Sequence, residues 1–197
     1  FSYGNDAVET VSYDPDGAKK LLEESGWTDT DGDGYVDKDG QKLSINWLTY
    51  PTRLEQPKLA EYAQATLKDI GIDVVVNNTS DHMTIAKSGD FDVYVSSTTT
   101  APTGDPEYFF TSTVTGAKNY GNYQNEEVTK LTDQLHQTFD KDERSKLAVE
   151  LQQDILDDDA FFFVSHLNMG IVTKSNVTGM AAHPCDYYEI TADLDVK

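Results

Sequence analysis

The spacing of apolar residues along the chain predicts an α/β fold. Apolar positions at helical spacing predict helices at residues 15–25, 57–70, 84–88, 126–139 and 141–156. Alternating or short apolar runs predict strands at residues 43–49, 73–77, 91–95 and 160–165. Because a helix joins the strands at 43–49 and 73–77, we expect these two strands to be parallel, with a right-handed crossover.

Capping residues mark the starts of three of these helices. Asp14 caps the first helix and Pro15 takes its first position. Asn125 caps a later helix, and Asp140 forms a capping box with Glu143 at the start of the last one. The expected buried faces are Ala18, Leu21, Leu22 and Ser25; then Val128, Leu131, Leu135 and Phe139; then Leu147, Leu151, Ile155 and Leu156.

The stretch from residue 89 to residue 110 is where the sequence predicts a ligand. Its strand runs into four small hydroxyl residues, and prolines and a glycine then prevent an immediate helix. In an α/β protein, a strand that leads into a polar, turn-rich loop is a usual place for a ligand. Thr98, Thr99 and Thr100 are therefore candidate ligand-binding residues, with an ordinary surface loop as the alternative.

A second candidate site is the acidic turn DTDGDGYVDKDG at residues 29–40. Asp29, Asp31, Asp33 and Asp37 place several oxygens on a short loop, as hard cations require. The spacing matches the first half of an EF-hand loop, but the twelfth position is Gly40 instead of glutamate, and a strand follows. The alternatives are a calcium site, which would indicate a calcium-binding cell-surface module, and an acidic hairpin turn.

Composition argues against several classes of protein. Asp and Glu outnumber Lys and Arg by 35 to 15 in 197 residues, a formal net charge of −20, which argues against nucleic acid and anionic membranes as partners. No apolar run approaches transmembrane length, and the single Cys185 excludes an intrachain disulfide. Because the chain begins at Phe1 without a methionine, we expect a processed product or a part of something longer.

Sequence motifs of catalysis are also missing. The chain has no G-x-S-x-G, no glycine-rich phosphate loop, no H-E-x-x-H and no catalytic cysteine context. Acidic residues are abundant, but no pair is singled out by its position. The sequence therefore predicts a protein that is not an enzyme.

Several segments together resemble one family. YDPDGAKKLLEESGW at 13–27, followed by DTDGDG, resembles the signature that opens the second lobe of family 5 extracellular solute-binding proteins. The helix at 57–70 with GIDVVV, then GDFDVYV with GDPEYFF, then NYGNYQNEEVTKL and DERSKLAVELQQDIL, continue the pattern in order. The resemblance covers nearly the whole chain, and it rests on the order and spacing of these segments.

This resemblance implies an architecture and a role. It implies the C-terminal lobe of a type II periplasmic-binding-protein fold, a mixed sheet flanked by helices, at residues 1–170. Residues 171–197 are then a tail that returns to a missing first lobe. The implied protein is the extracytoplasmic receptor of a peptide or nickel ABC importer, periplasmic or lipid-anchored. It requires no cofactor, and it hands a small-molecule or peptide solute to the permease subunits.

The resemblance also suggests ligand residues. One branch of the family is similar in having an arginine soon after the first strand and a histidine after the FFFVS-type strand, which correspond here to Arg53 and His166. An imidazole is a usual ligand for nickel, so we expect a nickel chelate as the transported ligand, with His166 on the metal. Tyr50, in the same turn as Arg53, is a further candidate ligand-binding residue.

An oligopeptide or dipeptide receptor of the same family is the alternative function. Nickel-type members often carry Trp and Tyr in the segment TTTAPTGDP, where this chain has Thr99 and Thr103. That departure argues against metal binding in the usual manner of those members. A surface charge at Arg53 and a hydrogen-bonded histidine at a strand end are the structural alternatives for the two site residues.

Overall fold

The computed structural model describes residues 5–101, 104–167, 170–181 and 190–197. The chain divides into two compact units. The sheet unit comprises residues 10–98 with 120–122, and the helical unit comprises the described parts of 1–9, 99–119 and 123–197. These two units do not test the predicted boundary between the lobe at 1–170 and the tail at 171–197, which stays a prediction.

The sheet unit is built on a three-stranded parallel sheet. Its elements in order are α1 (Pro15–Glu24), β1 (Asp37–Lys38), β2 (Gln41–Lys42), β3 (Ser44–Thr49), α2 (Glu55–Lys68), β4 (Asp73–Asn78), α3 (His82–Ser88) and β5 (Val93–Tyr94). The strand order is β4-β3-β5, with Ser44 opposite Asp73 and Trp47 opposite Val93. The predicted parallel pairing is therefore confirmed. The antiparallel strands β1 and β2 form a separate hairpin.

The sheet forms here because apolar side chains alternate along β3 and β-branched residues fill β4. Leu48 and Val74 are buried beneath α2, whose Ala60 is also buried. Gly71 ends the helical segment with φ +82°, and a Cβ at this position would meet the Val36 side chain at 2.9 Å. Val36 N–H also donates to Gly71 O (2.7 Å), so this glycine closes the acidic hairpin against the end of the helix.

The helical unit packs helices around one apolar core. Its elements are α4 (Glu107–Phe109), a π-helical turn (Phe110–Val114), α5 (Glu126–Gln137), α6 (Lys141–Asp157) and the antiparallel pair β6 (Val177–Thr178) and β7 (Asp195–Val196), preceded by a 3-10 turn (Asn5–Ala7). The core residues are Phe109, Phe110, Val114, Val128, Leu131, Leu135, Leu147, Ala148, Leu151 and Ile155. No helix among the described residues has the length and hydropathy needed to cross a bilayer.

The predicted caps are confirmed. Asp14 Oδ1 accepts the N–H of Gly17, and Asn125 Oδ1 accepts two N–H groups of α5. Asp140 accepts the N–H groups of residues 142 and 143, as a capping residue should. Glu143 does not complete the reciprocal bond of a capping box, because its carboxylate pairs with Lys146.

Three sequence predictions about packing were wrong. No residue of α1 is buried, and Leu21 is 65% exposed, because no other helix or strand among the described residues packs closely against α1. Phe139 lies beyond the end of α5 and is 92% exposed. Residues 160–165 are irregular, because a strand needs a ladder partner and residues 161–165 form no backbone hydrogen bond with a described residue.

Candidate functional site

The carboxyl edge of the parallel sheet brings three ring side chains together. Tyr50 follows β3 directly, Tyr94 ends β5, and His82 begins α3 shortly after β4. Since parallel strands all end at the same edge, these residues converge there although they are far apart in sequence. Tyr50, His82 and Tyr94 are called the aromatic cluster below.

The rings of the aromatic cluster are in direct contact. Tyr50 and His82 stack with ring centroids 4.1 Å apart and an interplanar angle of 18°. His82 Nδ1 lies 2.8 Å from the hydroxyl of Tyr94, and the two rings are tilted at 5.9 Å. Tyr120 meets Tyr94 edge-on at 6.1 Å. The imidazole is therefore held both by its face and by one nitrogen.

The surroundings of Tyr94 affect its pKa, and its hydrogen bonds bear on the tautomer of His82. Burial raises the pKa of Tyr94 above its ordinary value, so the phenol stays neutral at physiological pH. Its hydroxyl also lies 3.9 Å from Met83 Sδ. When the phenol donates to sulfur and accepts from Nδ1–H, the lone pair of His82 is on Nε2. Nε2 has no hydrogen-bond partner among the described residues.

The hydroxyl-rich loop begins at this edge. Ser97 N–H donates to the hydroxyl of Tyr50 (3.2 Å), which ties the start of the loop to the aromatic cluster. Thr98, Thr99 and Thr100 are exposed, and their hydroxyls form no hydrogen bond with a described residue. Thr98 belongs to the sheet unit, and the other two begin the helical unit.

Buried polar atoms lie next to this edge along the chain. Thr49, the last residue of β3, is fully buried, and its Oγ1 has no hydrogen-bond partner in the described part of the chain. Gln56, in the first turn of α2, is 3% exposed with an unpartnered Oε1. Unsatisfied buried polar atoms are uncommon in proteins, and these two lie where β3 ends and where α2 begins.

The predicted site residues fall in both units. Arg53 lies in the turn between β3 and α2, and its guanidinium forms no ion pair or hydrogen bond with a described residue. His166 is exposed in the helical unit, in an irregular segment. The predicted convergence of Arg53 and His166 stays a prediction. Thr103 lies outside the described residues.

His82 is a member of the aromatic cluster that the sequence analysis does not single out. The signal was present in the chain. His82 comes soon after the predicted strand at 73–77, and the helix that follows a parallel strand starts at the carboxyl edge of the sheet. Its stacking on Tyr50 depends on how α3 packs, which has no local signature in sequence.

The acidic turn folds as a hairpin closed by its own donors. Asp29 accepts the N–H groups of Gly32 and Gly34, and Asp37 accepts both donors of Thr30. Carboxylate oxygens of Asp29, Asp31 and Asp37 lie within 4.8 Å of one another.

The fourth aspartate of the turn is engaged elsewhere. Asp33 forms an ion pair with Lys42 (2.6 Å). The hydrogen bonds that Asp33 accepts from Lys42 and from the N–H of Tyr35 hold the pKa of Asp33 below its ordinary value. Asp33 is thus paired with a lysine, whereas the carboxylates of Asp29, Asp31 and Asp37 lie together. Calcium at this turn stays a hypothesis.

Comparisons with known proteins agree on one family. The family described as bacterial extracellular solute-binding proteins, family 5 Middle, matches residues 1–121. The oligopeptide-binding protein AppA of Bacillus subtilis (strain 168) is 30% identical over 189 residues, covering 93% of this chain and 35% of AppA. The nickel-binding periplasmic protein of Escherichia coli (strain K12) is 26% identical over 191 residues, covering 92% of this chain and 36% of that protein.

Solved structures give the same result. AppA in complex with a nonapeptide superimposes with a TM-score of 0.66 at 28% identity, covering 80% of this chain and 32% of AppA. NikA from Brucella suis in complex with Fe(III)-EDTA superimposes with a TM-score of 0.67 at 26% identity, covering 79% of this chain and 32% of NikA. These similarities confirm the predicted periplasmic-binding-protein fold.

The family match and the fold together identify the family of this chain. The chain belongs to the family 5 bacterial extracellular solute-binding proteins. Members of this family serve ABC importers and are not enzymes, in agreement with the sequence prediction. The chain spans about a third of the length of the relatives that it matches, which fits one lobe of such a protein. These relatives give no support for calcium.

Proposed function

We propose that this chain is the ligand-binding C-terminal lobe of a two-lobed, extracytoplasmic receptor that delivers its solute to an ABC importer permease. The observation that carries the proposal is the aromatic cluster at the carboxyl edge of the sheet. Arg53, whose guanidinium has no described partner, lies in the turn that follows Tyr50. The other lobe lies outside this chain and closes over the solute. No chemistry is done on the solute.

The proposed solute is a nickel chelate. His82 is held by Tyr94 through Nδ1 and stacked on Tyr50, which leaves Nε2 for a metal. A histidine that ligates a metal through one nitrogen is usually oriented by a hydrogen bond at the other, and this is the arrangement at His82. Arg53 pairs with a carboxylate of the chelating molecule, and the hydroxyl of Thr98 takes a further hydrogen bond. His166 remains a second candidate imidazole.

A short peptide is the second candidate solute. The observation that favours it is the similarity to AppA, which is named an oligopeptide-binding protein and was solved with a nonapeptide. A peptide uses Arg53 for its carboxylate and the rings of the aromatic cluster for stacking, and it does not need an imidazole nitrogen. The two candidates therefore differ in what they require of His82.

Titration calorimetry of the full-length parent with Ni(L-His)2 and with a nonapeptide tests the proposal. His82→Phe keeps a ring on Tyr50 but removes both nitrogens, so we expect it to weaken Ni(L-His)2 binding at least tenfold and leave the nonapeptide affinity nearly unchanged. His166→Ala, measured in parallel, reports on the second imidazole.

The outcomes separate the two solutes. Unchanged Ni(L-His)2 affinity in both variants overturns the assignment of nickel to an imidazole of this lobe. Binding of the nonapeptide without binding of Ni(L-His)2 replaces the nickel function by the peptide function. Failure of the parent to bind either probe overturns both candidates.

A further inference from the structure

Met83 is a nucleophilic side chain that lies against the aromatic cluster. It is the second residue of α3, directly after His82, and 38% of it is exposed. The hydroxyl of Tyr94 lies 3.9 Å from Met83 Sδ and 2.8 Å from His82 Nδ1. One hydroxyl therefore connects the thioether to the imidazole, and all three residues belong to the sheet unit.

The ring that carries this hydroxyl is held from several sides. Tyr94 contacts Phe91 at a centroid distance of 5.8 Å, His82 at 5.9 Å and Tyr120 at 6.1 Å, all within the sheet unit. Because these contacts restrict the ring, the hydroxyl stays between the sulfur and the imidazole nitrogen. A chemical change at the sulfur therefore changes the hydrogen bonding of the hydroxyl.

The hydroxyl of Tyr94 has two possible acceptors, and the choice between them fixes the tautomer of His82. When it donates to Met83 Sδ, it accepts Nδ1–H and the lone pair of the imidazole is on Nε2. When it donates to Nδ1 instead, the imidazole proton is on Nε2. A thioether is a weak acceptor, so we expect the reduced protein to contain both tautomers.

We propose that Met83 is an oxidation site whose state controls the tautomer of His82. The oxidant is a peroxide such as hydrogen peroxide. The thioether sulfur attacks one peroxide oxygen, an S–O bond forms as the O–O bond breaks, and the products are the sulfoxide and water. Sulfur loses the two electrons that the peroxide gains. A methionine sulfoxide reductase reverses the change.

Oxidation replaces a weak acceptor by a polar one beside Tyr94. The phenol then donates to the sulfoxide oxygen and accepts Nδ1–H of His82. The imidazole consequently keeps its proton on Nδ1 and its lone pair on Nε2.

The consequence for binding rests on the proposed function, in which Nε2 of His82 binds the metal of a chelate. Apparent affinity is proportional to the fraction of the protein in the competent form. The gain on oxidation is therefore limited to the inverse of the fraction that is already competent, and we expect about two- to fivefold for Ni(L-His)2. A peptide does not need the imidazole lone pair, so its affinity should not change.

Peroxide treatment of this chain, followed by peptide mass spectrometry and nitrogen-15 NMR of the histidine rings, tests the proposal. NMR at about pH 8, where histidine is ordinarily neutral, reports the tautomer. We expect Met83 to gain one oxygen while the circular dichroism of the chain stays unchanged, and the ring shifts of His82 to move toward the Nδ1–H form.

Three variants separate the steps of this response. Met83→Leu keeps an apolar side chain that peroxide does not oxidise, so the shifts of His82 should not respond. Met180→Leu is the matched control, since it removes a half-buried methionine from the helical unit and should leave the response intact. Tyr94→Phe should still be oxidised at Met83 but lose the response, because the connecting hydroxyl is absent.

The outcomes in this chain decide the proposal. Resistance of Met83 to peroxide in the folded chain overturns it, and so does oxidation of Met83 without a change at His82. A full response in Met83→Leu assigns the effect to another residue. A full response in Tyr94→Phe overturns the route through the hydroxyl.

Titration of the full-length parent with Ni(L-His)2, before and after peroxide, measures the consequence for binding. We expect the affinity to rise in the wild type and to stay constant in Met83→Leu. A shifted tautomer with unchanged affinity overturns the link between Met83 and the metal. If the parent binds no Ni(L-His)2 in either state, the proposed nickel function fails, while the NMR result still decides whether Met83 controls His82.

Discussion

Tyr50 stacks on His82 with its ring and accepts the N–H of Ser97 with its hydroxyl. One side chain thus links the aromatic cluster to the start of the hydroxyl-rich loop. The ring supplies the stacking and the oxygen supplies the hydrogen bond, and these two roles can be separated by substitution.

Tyr50→Phe should keep the stacking and lose the bond to Ser97. Because the N–H of Ser97 is partly buried, we expect the free energy of unfolding to fall by about 1 kcal/mol, the usual value for one hydrogen bond. Urea denaturation measures the loss. Tyr62→Phe is the control, since Tyr62 is 72% exposed and its hydroxyl has no described partner. Equal stability of the two variants contradicts a role for the Tyr50 hydroxyl.

Leu151→Ala should be among the most destabilising substitutions in the helical unit. Leu151 is fully buried between α5 and α6, so the substitution removes apolar contacts and leaves a cavity. We expect a loss of about 2–5 kcal/mol in chemical denaturation. Phe139→Ala removes a larger but exposed side chain and should change stability by less than about 0.5 kcal/mol. A comparable loss for Phe139→Ala means that Phe139 is covered in solution.

Stability should depend on pH through Glu107. Burial alone would raise the pKa of this carboxyl, but the hydrogen bonds from His136 and Arg144 outweigh it and hold the pKa below the ordinary value of 4.5. The unfolded state therefore binds the proton more tightly. This contribution to stability is present above about pH 4.5 and is lost as the pH falls through the lower, folded pKa.

Thermal melts between about pH 3 and pH 6 measure this dependence. Glu107→Gln cannot titrate, so we expect its melting temperature to fall less steeply with acid than that of the wild type. Asp158, whose pKa is lowered by hydrogen bonds from Tyr123 and Asn125, contributes to both profiles alike. Parallel profiles for the two proteins contradict the prediction.

This chain alone should bind solute poorly. The chain spans about a third of the length of its relatives. In the proposed two-lobed receptor the other lobe supplies part of the contacts with the solute, and lost binding free energy reduces affinity exponentially. Calorimetric titration of the chain with Ni(L-His)2 and with a nonapeptide should show no submicromolar binding. Submicromolar affinity of either probe for the chain alone refutes the two-lobed proposal.

Calcium should have little effect on stability. The aspartates of the acidic turn already accept hydrogen bonds from the loop, and Asp33 is paired with Lys42. Thermal melts in calcium and in chelator should therefore coincide. A calcium-dependent rise in melting temperature that Asp31→Asn removes and Asp39→Asn preserves supports the cation site instead.

The local chemistry of the chain determined where three of its helices begin and how β3 pairs with β4. Asp14, Asn125 and Asp140 act as caps in the structure because a cap needs only a side-chain oxygen and the next few N–H groups. The parallel pairing of β3 with β4 followed from the helix between them, since such a connection leaves few alternatives. Both are short-range relationships that residue type and spacing express.

Tertiary structure alone decided which side chains meet. The contact of His82 with Tyr50 and Tyr94, and the five hydrogen bonds of Arg144, join residues up to 39 positions apart, and no local pattern encodes such distances. For the same reason the apolar run at 160–165 predicted a strand that has no ladder partner among the described residues. The stripe of α1 likewise predicted burial, but no residue of α1 is buried. Periodicity reports the preference of a segment, whereas burial and pairing depend on what the rest of the chain places beside it.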